Sequence, residues 1–170
     1  MKAHFGKDKT FVVGNIGNPY TLEADKTSKD SVTVGEISSF QLATIHTFHP
    51  VVSAILNITP DHLNRHHTME AYVAAKEAVA SQQTKADICV LNYDNDYTRD
   101  FAGRCPATPV LFSSHQELEN GYFLRGDKII KSVNGEEHEL MDIHKDMNLV
   151  GLCNVENVMA AIAIAEGMQV

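Results

Sequence analysis

Residues 51–76 read VVSAILNITPDHLNRHHTMEAYVAAK, and this stretch decides the expected fold. Val51 to Ile58 is an almost unbroken apolar run with β-branched residues, which is typical of a strand covered on both faces in a parallel sheet. After a polar loop, Thr68 is placed to cap a helix that carries Glu70 in its first turn. The stretch therefore predicts a buried strand joined to a helix through a loop suited to chemistry.

The helix after this loop carries a cation on its apolar side. That side is formed by Met69, Tyr72, Val73, Val79 and Ala80. Lys76 shares it, seven residues after Met69, where a charged side chain is unusual unless something nearby needs it. A lysine whose stem lies on apolar surface while its ammonium reaches water is the ordinary alternative, and it stays open here.

Length and composition predict one soluble α/β domain, because 170 residues with 44% hydrophobic and 7% aromatic content can bury one core. No charged-then-apolar leader and no run of 18 apolar residues occurs, so we expect a cytoplasmic protein without a membrane partner. The net charge of -8 argues against nucleic acid as a partner. Three scattered cysteines indicate reduced thiols rather than a disulfide framework.

Strand and helix patterns alternate along the chain, which predicts a mostly parallel sheet flanked by helices. The first three predicted strands are expected to lie in one open sheet. Residues 1–9 are expected to be the remnant of a helix. Strands are predicted at 11–13, 32–34, 51–58, 88–93 and 110–113, and helices at 40–45, 69–80, 96–103 and 155–166, the last with Asn154 as its N-cap.

Residues 121–141 have a different sequence pattern from the rest of the chain. Short apolar segments are separated there by Arg125-Gly126-Asp127 and by Asn134-Gly135, which are typical of tight hairpin turns. We therefore expect a small antiparallel subdomain attached to the parallel sheet.

Three predicted strands end in polar residues. The first ends at GNIGNP, residues 14–19, which contains Asn15; the second ends at Glu36; the third leads to Asp61 and His62. Ligands of open parallel sheets bind outside the carboxyl ends of the strands, so we expect one crevice that suits phosphate and Mg²⁺. The histidine keeps Mn²⁺ open as an alternative. Taken singly, each residue also has an ordinary use in a turn, a cap or the core.

Four motifs resemble those of the ATP-dependent Mur ligase family: GNIGNP at 14–19, EISSFQL at 36–42, NITPDHLNRH through AYVAAK at 57–76, and, more weakly, GLCNVENVMAA at 151–161. EISSFQL is most similar to the branch that adds D-glutamate, while another Mur or folylpolyglutamate-type ligase is the alternative. The resemblance covers residues 1–170 as the family's central, P-loop-ATPase-like domain.

The resemblance implies roles for individual residues. Glu36 would bind one Mg²⁺, and His62 would bind a second ion beside the reacting groups. Lys76 would be carbamylated, which turns a cation into an anionic metal ligand. Burial depresses a lysine pKa and so favours the neutral amine that this modification needs. Substrate contacts would come from Asn15, Ser38 and Gln41, and adenine contacts from Asn154 and Asn157, although Cys153 replaces the histidine usual in the last motif.

The implied reaction is amide-bond formation through an acyl phosphate in peptidoglycan biosynthesis. ATP would phosphorylate the carboxylate of UDP-N-acetylmuramoyl-L-alanine, and the amine of D-glutamate would displace the phosphate. However, neither G-x-x-x-x-G-K-[ST] nor the family's GTNGKTT occurs in the 170 residues. We therefore expect a truncated central domain that lacks the phosphate loop and the UDP-binding and D-glutamate-binding domains, and that is inactive alone.

Three further expectations follow from this departure. Without a phosphate loop, Lys76 is expected to stay unmodified, with its ammonium reaching solvent or pairing with Glu36 or Asp61. The chain is expected to keep its sheet. As an alternative, it would be an inactive module that binds metal or a nucleotide sugar without turnover. It would alternatively self-associate through a sheet edge exposed by truncation.

Overall fold

The computed structural model describes all 170 residues, and strands and helices alternate along them. The strands are β1 (Thr10–Gly14), β2 (Val32–Glu36), β3 (Val52–Ile55), β4 (Ile88–Asn92), β5 (Thr108–Ser113), β6 (Gly121–Arg125), β7 (Lys128–Val133) and β8 (Glu136–Asp142). The α-helices are α1 (Lys2–Phe5), α2 (Ser39–Leu42), α3 (Leu63–His66), α4 (Met69–Glu77), α5 (Asp96–Ala102), α6 (Ile143–Asp146) and α7 (Leu152–Gly167). The predicted α/β alternation is confirmed.

The main sheet has six strands in the order β3-β4-β5-β6-β7-β8. Strands β3 to β6 pair in parallel, and β6, β7 and β8 pair antiparallel. Because Phe112 pairs with Tyr122 in a parallel ladder, the predicted antiparallel subdomain continues the main sheet. The mostly parallel sheet with an antiparallel part is therefore confirmed.

Strands β1 and β2 form a separate, two-stranded parallel sheet. The expectation that the first three strands lie in one sheet is wrong, because no ladder joins β2 to β3. Four of the five residues of β2 are exposed, so this strand lacks the apolar cover that holds a central strand in place. Self-association through the unpaired edges stays a prediction.

Both faces of the main sheet are covered by helices. On one face the buried cluster is Leu42, Ile55, Ile58, Tyr72, Val79, Ala80, Cys89, Leu91, Phe101, Cys105 and Ala107. On the other face, next to α7, it is Val90, Phe112, Tyr122, Ile129, Val155, Met159, Ala160 and Ala163. Strand β3 has this two-sided cover, but it is shorter than the predicted run, and Val51 is exposed.

The thiols of the chain are all free, as predicted. Cys89 and Cys105 are buried, and burial raises the pKa of the Cys89 thiol to about 12. Such a thiol stays protonated at neutral pH and is unreactive. Cys153, by contrast, is exposed at the start of α7.

Helix α7 begins earlier than predicted. Gly151, with φ of 99°, occupies the N-cap position, and Asn154 lies inside the first turn. The Asn154 amide donates to the carbonyl of Val150 at 2.7 Å, so the prediction that Asn154 caps this helix is wrong. Glycine occupies this position at a φ that a side chain would disfavour. None of the helices has both the length and the apolar character that crossing a membrane requires.

Candidate functional site

The turn after β1 brings Asn15 to Glu36. In the parallel register Gly14 lies beside Glu36, and the backbone N–H of Asn15 donates to the carbonyl of Glu36 at 2.7 Å. The side-chain amide of Asn15 also donates to the Glu36 carboxylate at 3.2 Å. Two residues that are 21 positions apart therefore present an amide and a carboxylate together, as the strand-end argument predicted.

Glu36 is exposed and has no Lys, Arg or His within ion-pair distance. Its carboxylate is held only by a neutral amide, so it keeps free lone pairs for a hard cation. This donor chemistry fits Mg²⁺, which takes carboxylate oxygen and retains several water ligands.

Ser38 and Gln41 satisfy each other at the start of α2. The Gln41 backbone N–H donates to Ser38 Oγ at 3.3 Å, and the Ser38 backbone N–H donates to Gln41 Oε1 at 2.9 Å. This reciprocal arrangement is a capping box, which fixes the first turn of a helix too short to be stable alone. The structure therefore gives both residues a structural role, and their predicted substrate contacts stay a prediction.

His62 lies at the start of α3 in a left-handed conformation, with φ of 53°. Asp61 holds it there, because Asp61 Oδ1 accepts from the His62 backbone N–H at 2.7 Å and Oδ2 lies 3.3 Å from Nε2. The ring of Phe40, from α2, lies 4.9 Å from the imidazole. Helix α2 and His62, which is predicted to bind a metal ion, thus contact each other directly.

Lys76 is half-buried on α4, with Nζ 5.4 Å from the centre of the Tyr72 ring. It forms no ion pair with Glu36 or Asp61, so the predicted pairing is not observed. The ammonium instead lies over an aromatic face, where the ring quadrupole attracts a cation. Thr68 caps α4 as predicted by accepting from the backbone N–H of Ala71 at 3.1 Å.

His66 joins α2 to α4, and the sequence did not reveal this. Its Nε2 lies 3.0 Å from the Ser39 hydroxyl. Its ring also stacks on Phe40 at 5.5 Å with an interplanar angle of 16° and contacts Tyr72 at 5.3 Å. Because Phe40 contacts His62 and Tyr72 contacts Lys76, this imidazole links the predicted substrate helix to the predicted metal residues.

Replacing His66 with alanine is expected to lower the free energy of unfolding by about 1–2 kcal/mol, since a hydrogen bond and two ring contacts are lost. Urea denaturation measures the loss. His67→Asn is the matched control, because the neighbouring His67 is exposed and makes none of these contacts. A double-mutant cycle with Ser39→Ala should show a coupling of about 1 kcal/mol; no coupling would mean that the hydrogen bond is unimportant.

Asn154 and Asn157, the predicted adenine contacts, lie on one side of α7, three residues apart. Asn157 is exposed, and Asn154 is half-buried. No hydrogen bond or ion pair joins α7 to Asn15, Glu36, His62 or Lys76. The structure therefore shows no polar contact between these two residues and the other predicted site residues, and their role stays a prediction.

One group of potential metal ligands was not found from the sequence. Asp94, His115 and Glu156 bring their ligand atoms within 4.8 Å of one another. Glu36, Asp61 and His62 form no such group, so they do not make one three-ligand site.

Comparison with known proteins gives a consistent set of similarities. The profile of the Mur ligase middle domain family matches residues 3–165. A UDP-N-acetylmuramoylalanine–D-glutamate ligase of Lachnospira eligens is 57% identical over 159 residues, covering 94% of this chain and 35% of that protein. The ligase of the same name from Lachnoclostridium phytofermentans is 54% identical over 170 residues, covering 100% of this chain and 37% of that protein. The chain thus spans about a third of the length of these relatives.

Solved structures agree on the fold. MurF of Acinetobacter baumannii superimposes with a TM-score of 0.66 at 16% identity, covering 96% of this chain and 38% of that one. MurF of Thermotoga maritima, solved in complex with ADP, has a TM-score of 0.63 at 13% identity, covering 96% of this chain and 40% of that one. At these identities the likeness shows the shared fold alone.

Proposed function

Because the chain belongs to the Mur ligase middle domain family, we propose that it is the central, ATP-binding part of a ligase that joins D-glutamate to UDP-N-acetylmuramoyl-L-alanine. The ligase would act in peptidoglycan biosynthesis in the cytoplasm. The proposal rests chiefly on the meeting of Asn15 and Glu36 at adjacent strand ends, where EISSFQL runs from the end of β2 into α2.

Glu36, His62 and Lys76 are proposed to hold the metal ions. Glu36 offers a carboxylate without a cationic partner, and His62 is half-exposed and oriented by Asp61. Lys76 would contribute as a carbamate. Bound Mg²⁺ would neutralise charge on the transferred phosphoryl group. Mn²⁺ would also fit the imidazole.

Asn15, Ser38 and Gln41 are proposed to position the muramoyl substrate. Asn15 Nδ2 already donates to Glu36, which holds the carboxylate in place, and the capping box of Ser38 and Gln41 fixes the start of the helix that would face the substrate. Asn154 and Asn157 are proposed to contact the adenine of ATP. The Asn154 Nδ2 is occupied by the Val150 carbonyl, which leaves the amide oxygen free to accept.

The 170 residues contain no phosphate-binding loop of the G-x-x-x-x-G-K-[ST] type. The chain by itself is therefore proposed to be inactive, with turnover belonging to a longer protein that also carries the UDP-binding and D-glutamate-binding parts. Divalent metal or the nucleotide sugar would still bind to the chain alone without turnover.

A chimera tests the proposal. Residues 3–165 replace the matching segment of the Lachnospira eligens ligase, and phosphate release from ATP is measured. We expect release that requires both UDP-N-acetylmuramoyl-L-alanine and D-glutamate, and none from the 170-residue chain alone. Glu36→Ala in the chimera should lower the rate by roughly 100-fold or more, since a metal ligand is lost.

The matched control is Glu136→Ala, which removes an exposed carboxylate at the start of β8. Its rate should equal that of the parent chimera. A chimera that folds but works only with a different amino acid would contradict the assignment to D-glutamate. Turnover by the isolated chain would contradict its inactivity.

A further inference from the structure

Three potential metal ligands meet at the carboxyl ends of two central strands. Asp94 follows β4, His115 follows β5, and Glu156 lies near the start of α7. Their ligand atoms all lie within 4.8 Å of one another. None of the three belongs to the Asn15–Glu36 region or to the loop of His62, so this is a separate place in the fold.

The hydroxyl of Ser114 lies at the centre of this group. Its Oγ is 2.6 Å from Glu156 Oε1, 2.9 Å from His115 Nδ1 and 3.3 Å from Asp94 Oδ2. A serine hydroxyl has one proton, so it can donate to only one of the two carboxylates. The acceptor atoms of Asp94, His115 and Glu156 that do not receive this proton lie close together around the hydroxyl.

No strong cation neutralises the two carboxylates. Neither Asp94 nor Glu156 has a lysine or arginine within ion-pair distance, and the one ion-pair partner of Asp94 is His115. Elsewhere in the chain, carboxylates that lie close together share a basic side chain, as Glu117 and Glu137 share Arg125. Two carboxylates beside an imidazole, without such a side chain, match the ligand set of a divalent ion.

We propose that Asp94, His115 and Glu156 bind a divalent transition-metal ion of the Zn²⁺ type. The imidazole favours zinc over Mg²⁺, which prefers oxygen ligands. Zinc ligands lie about 2.0–2.2 Å from the ion, which places them about 3.4 Å apart in a tetrahedron. The group must therefore contract slightly. The His115 side chain is 62% exposed, and the only hydrogen bond to the Glu156 carboxylate comes from Ser114, so both side chains can move.

The Asp94 carboxylate is already oriented for this role. Ser113 Oγ donates to Oδ1 at 2.6 Å, and the backbone N–H of Ser114 donates to Oδ2 at 2.7 Å. Such hydrogen bonds hold a metal-binding carboxylate in position. The fourth ligand would be the Ser114 hydroxyl or a water.

The same atoms do not form a hydrolytic triad. In such a triad the carboxylate contacts one ring nitrogen of the histidine and the serine contacts the other. Here His115 Nδ1 faces both Ser114 and Asp94, so the second ring nitrogen is not part of the group.

The ion would tie three elements together. It would join the ends of β4 and β5 to the start of α7, which carries Asn154 and Asn157. Its role is therefore structural: it holds the first turns of α7 against the sheet.

Zinc titration of the 170-residue chain against a chromophoric chelator tests the site, because competition reports affinity without any enzymatic assay. We expect one tight site. His115→Ala and Glu156→Gln should each weaken it at least about tenfold. A hundredfold excess of Zn²⁺ over Kd should raise Tm of the parent chain by roughly 5 °C. At the same zinc concentration, each variant should show at most about half of this shift.

His138→Ala and Glu136→Gln are the matched controls, since this exposed pair lies on β8 with Nε2 and Oε1 3.9 Å apart. Both should bind zinc like the parent chain. Asp94 is left unchanged, because it also holds the loop backbone, and far-UV circular dichroism confirms that the variants fold. Equal zinc affinity in the parent, His115→Ala and Glu156→Gln chains would overturn the proposal, whatever the ligase activity of a longer protein.

Discussion

Replacing Gly14 with alanine is expected to lower the free energy of unfolding by roughly 3 kcal/mol or more, as a sum of backbone strain and overpacking. Gly14 has φ of 108°, and a Cβ added there would lie 2.1 Å from the carbonyl oxygen of Glu36. The carbonyl carbon of Glu36 would be 3.0 Å away and its nitrogen 3.1 Å away. All three are backbone atoms of the paired strand, so no side-chain rotation relieves the clash.

Gly17→Ala separates the two causes. Gly17 also has a positive φ, of 96°, but no atom lies within 4 Å of an added Cβ. This control should cost about 1 kcal/mol, from backbone conformation alone. Urea denaturation of both variants then measures the cost of the close approach as their difference. Equal losses would show that β1 and β2 do not need this contact.

The same substitution should disturb the site. Any shift that relieves the clash moves Glu36 away from Gly14, and hence from Asn15. In the chimeric ligase, Gly14→Ala is therefore expected to lower turnover more than Gly17→Ala does.

Gly14 also shows what the sequence could predict. The GNIGNP motif had two interpretations, a plain turn or a ligand-binding loop. In the structure Gly14 has a backbone role. Because it lacks a side chain, Asn15 and Glu36 can approach each other without a steric clash. A strand ending in glycine and polar residues was therefore enough to predict that Asn15 and Glu36 meet, whereas Asp61 and His62, after the third strand, form no three-ligand group with Glu36.

The capping box at α2 was readable in the sequence as well. Ser38 and Gln41 have the S-x-x-Q spacing of this motif. The resemblance to the Mur ligase family implied that Ser38 and Gln41 contact the substrate. Their spacing alone predicts instead that the two residues hydrogen-bond to each other. Gly151 was a similar sequence signal, in this case for the start of α7. It lies three residues before Asn154, ends the preceding loop and has a positive φ in the structure.

Other features depend on tertiary placement that spacing cannot supply. Apolar periodicity shows which residues of β2 and β3 could be buried, but it does not show which strand edges pair. The environment of His66 requires α2 and α4 to pack together. Asp94, His115 and Glu156 come from three segments up to 62 residues apart, as their numbers show. No local pattern joins such residues.

Lys76→Met in the chimeric ligase is expected to lower turnover by roughly 100- to 1,000-fold, while leaving the free energy of unfolding nearly unchanged. Methionine keeps an unbranched apolar stem for packing beside Tyr72, but it cannot form a carbamate. The loss would therefore be electrostatic, since an anionic ligand is removed from the metal ions. Lys145→Met, at a side chain that is 76% exposed, should leave turnover unchanged.

The modification itself can be observed by ¹³C NMR with labelled bicarbonate at neutral pH. In the 170-residue chain, Lys76 Nζ lies over the Tyr72 ring, and without added divalent metal a carbamate there would have no cation to offset its burial. We expect no carbamate signal from this chain, and a signal from the chimera with Mg²⁺ and nucleotide that disappears in Lys76→Met. A signal from the isolated chain would mean that the metal residues assemble without a phosphate loop. Full turnover of the Lys76→Met chimera would remove Lys76 from the proposed metal ligands.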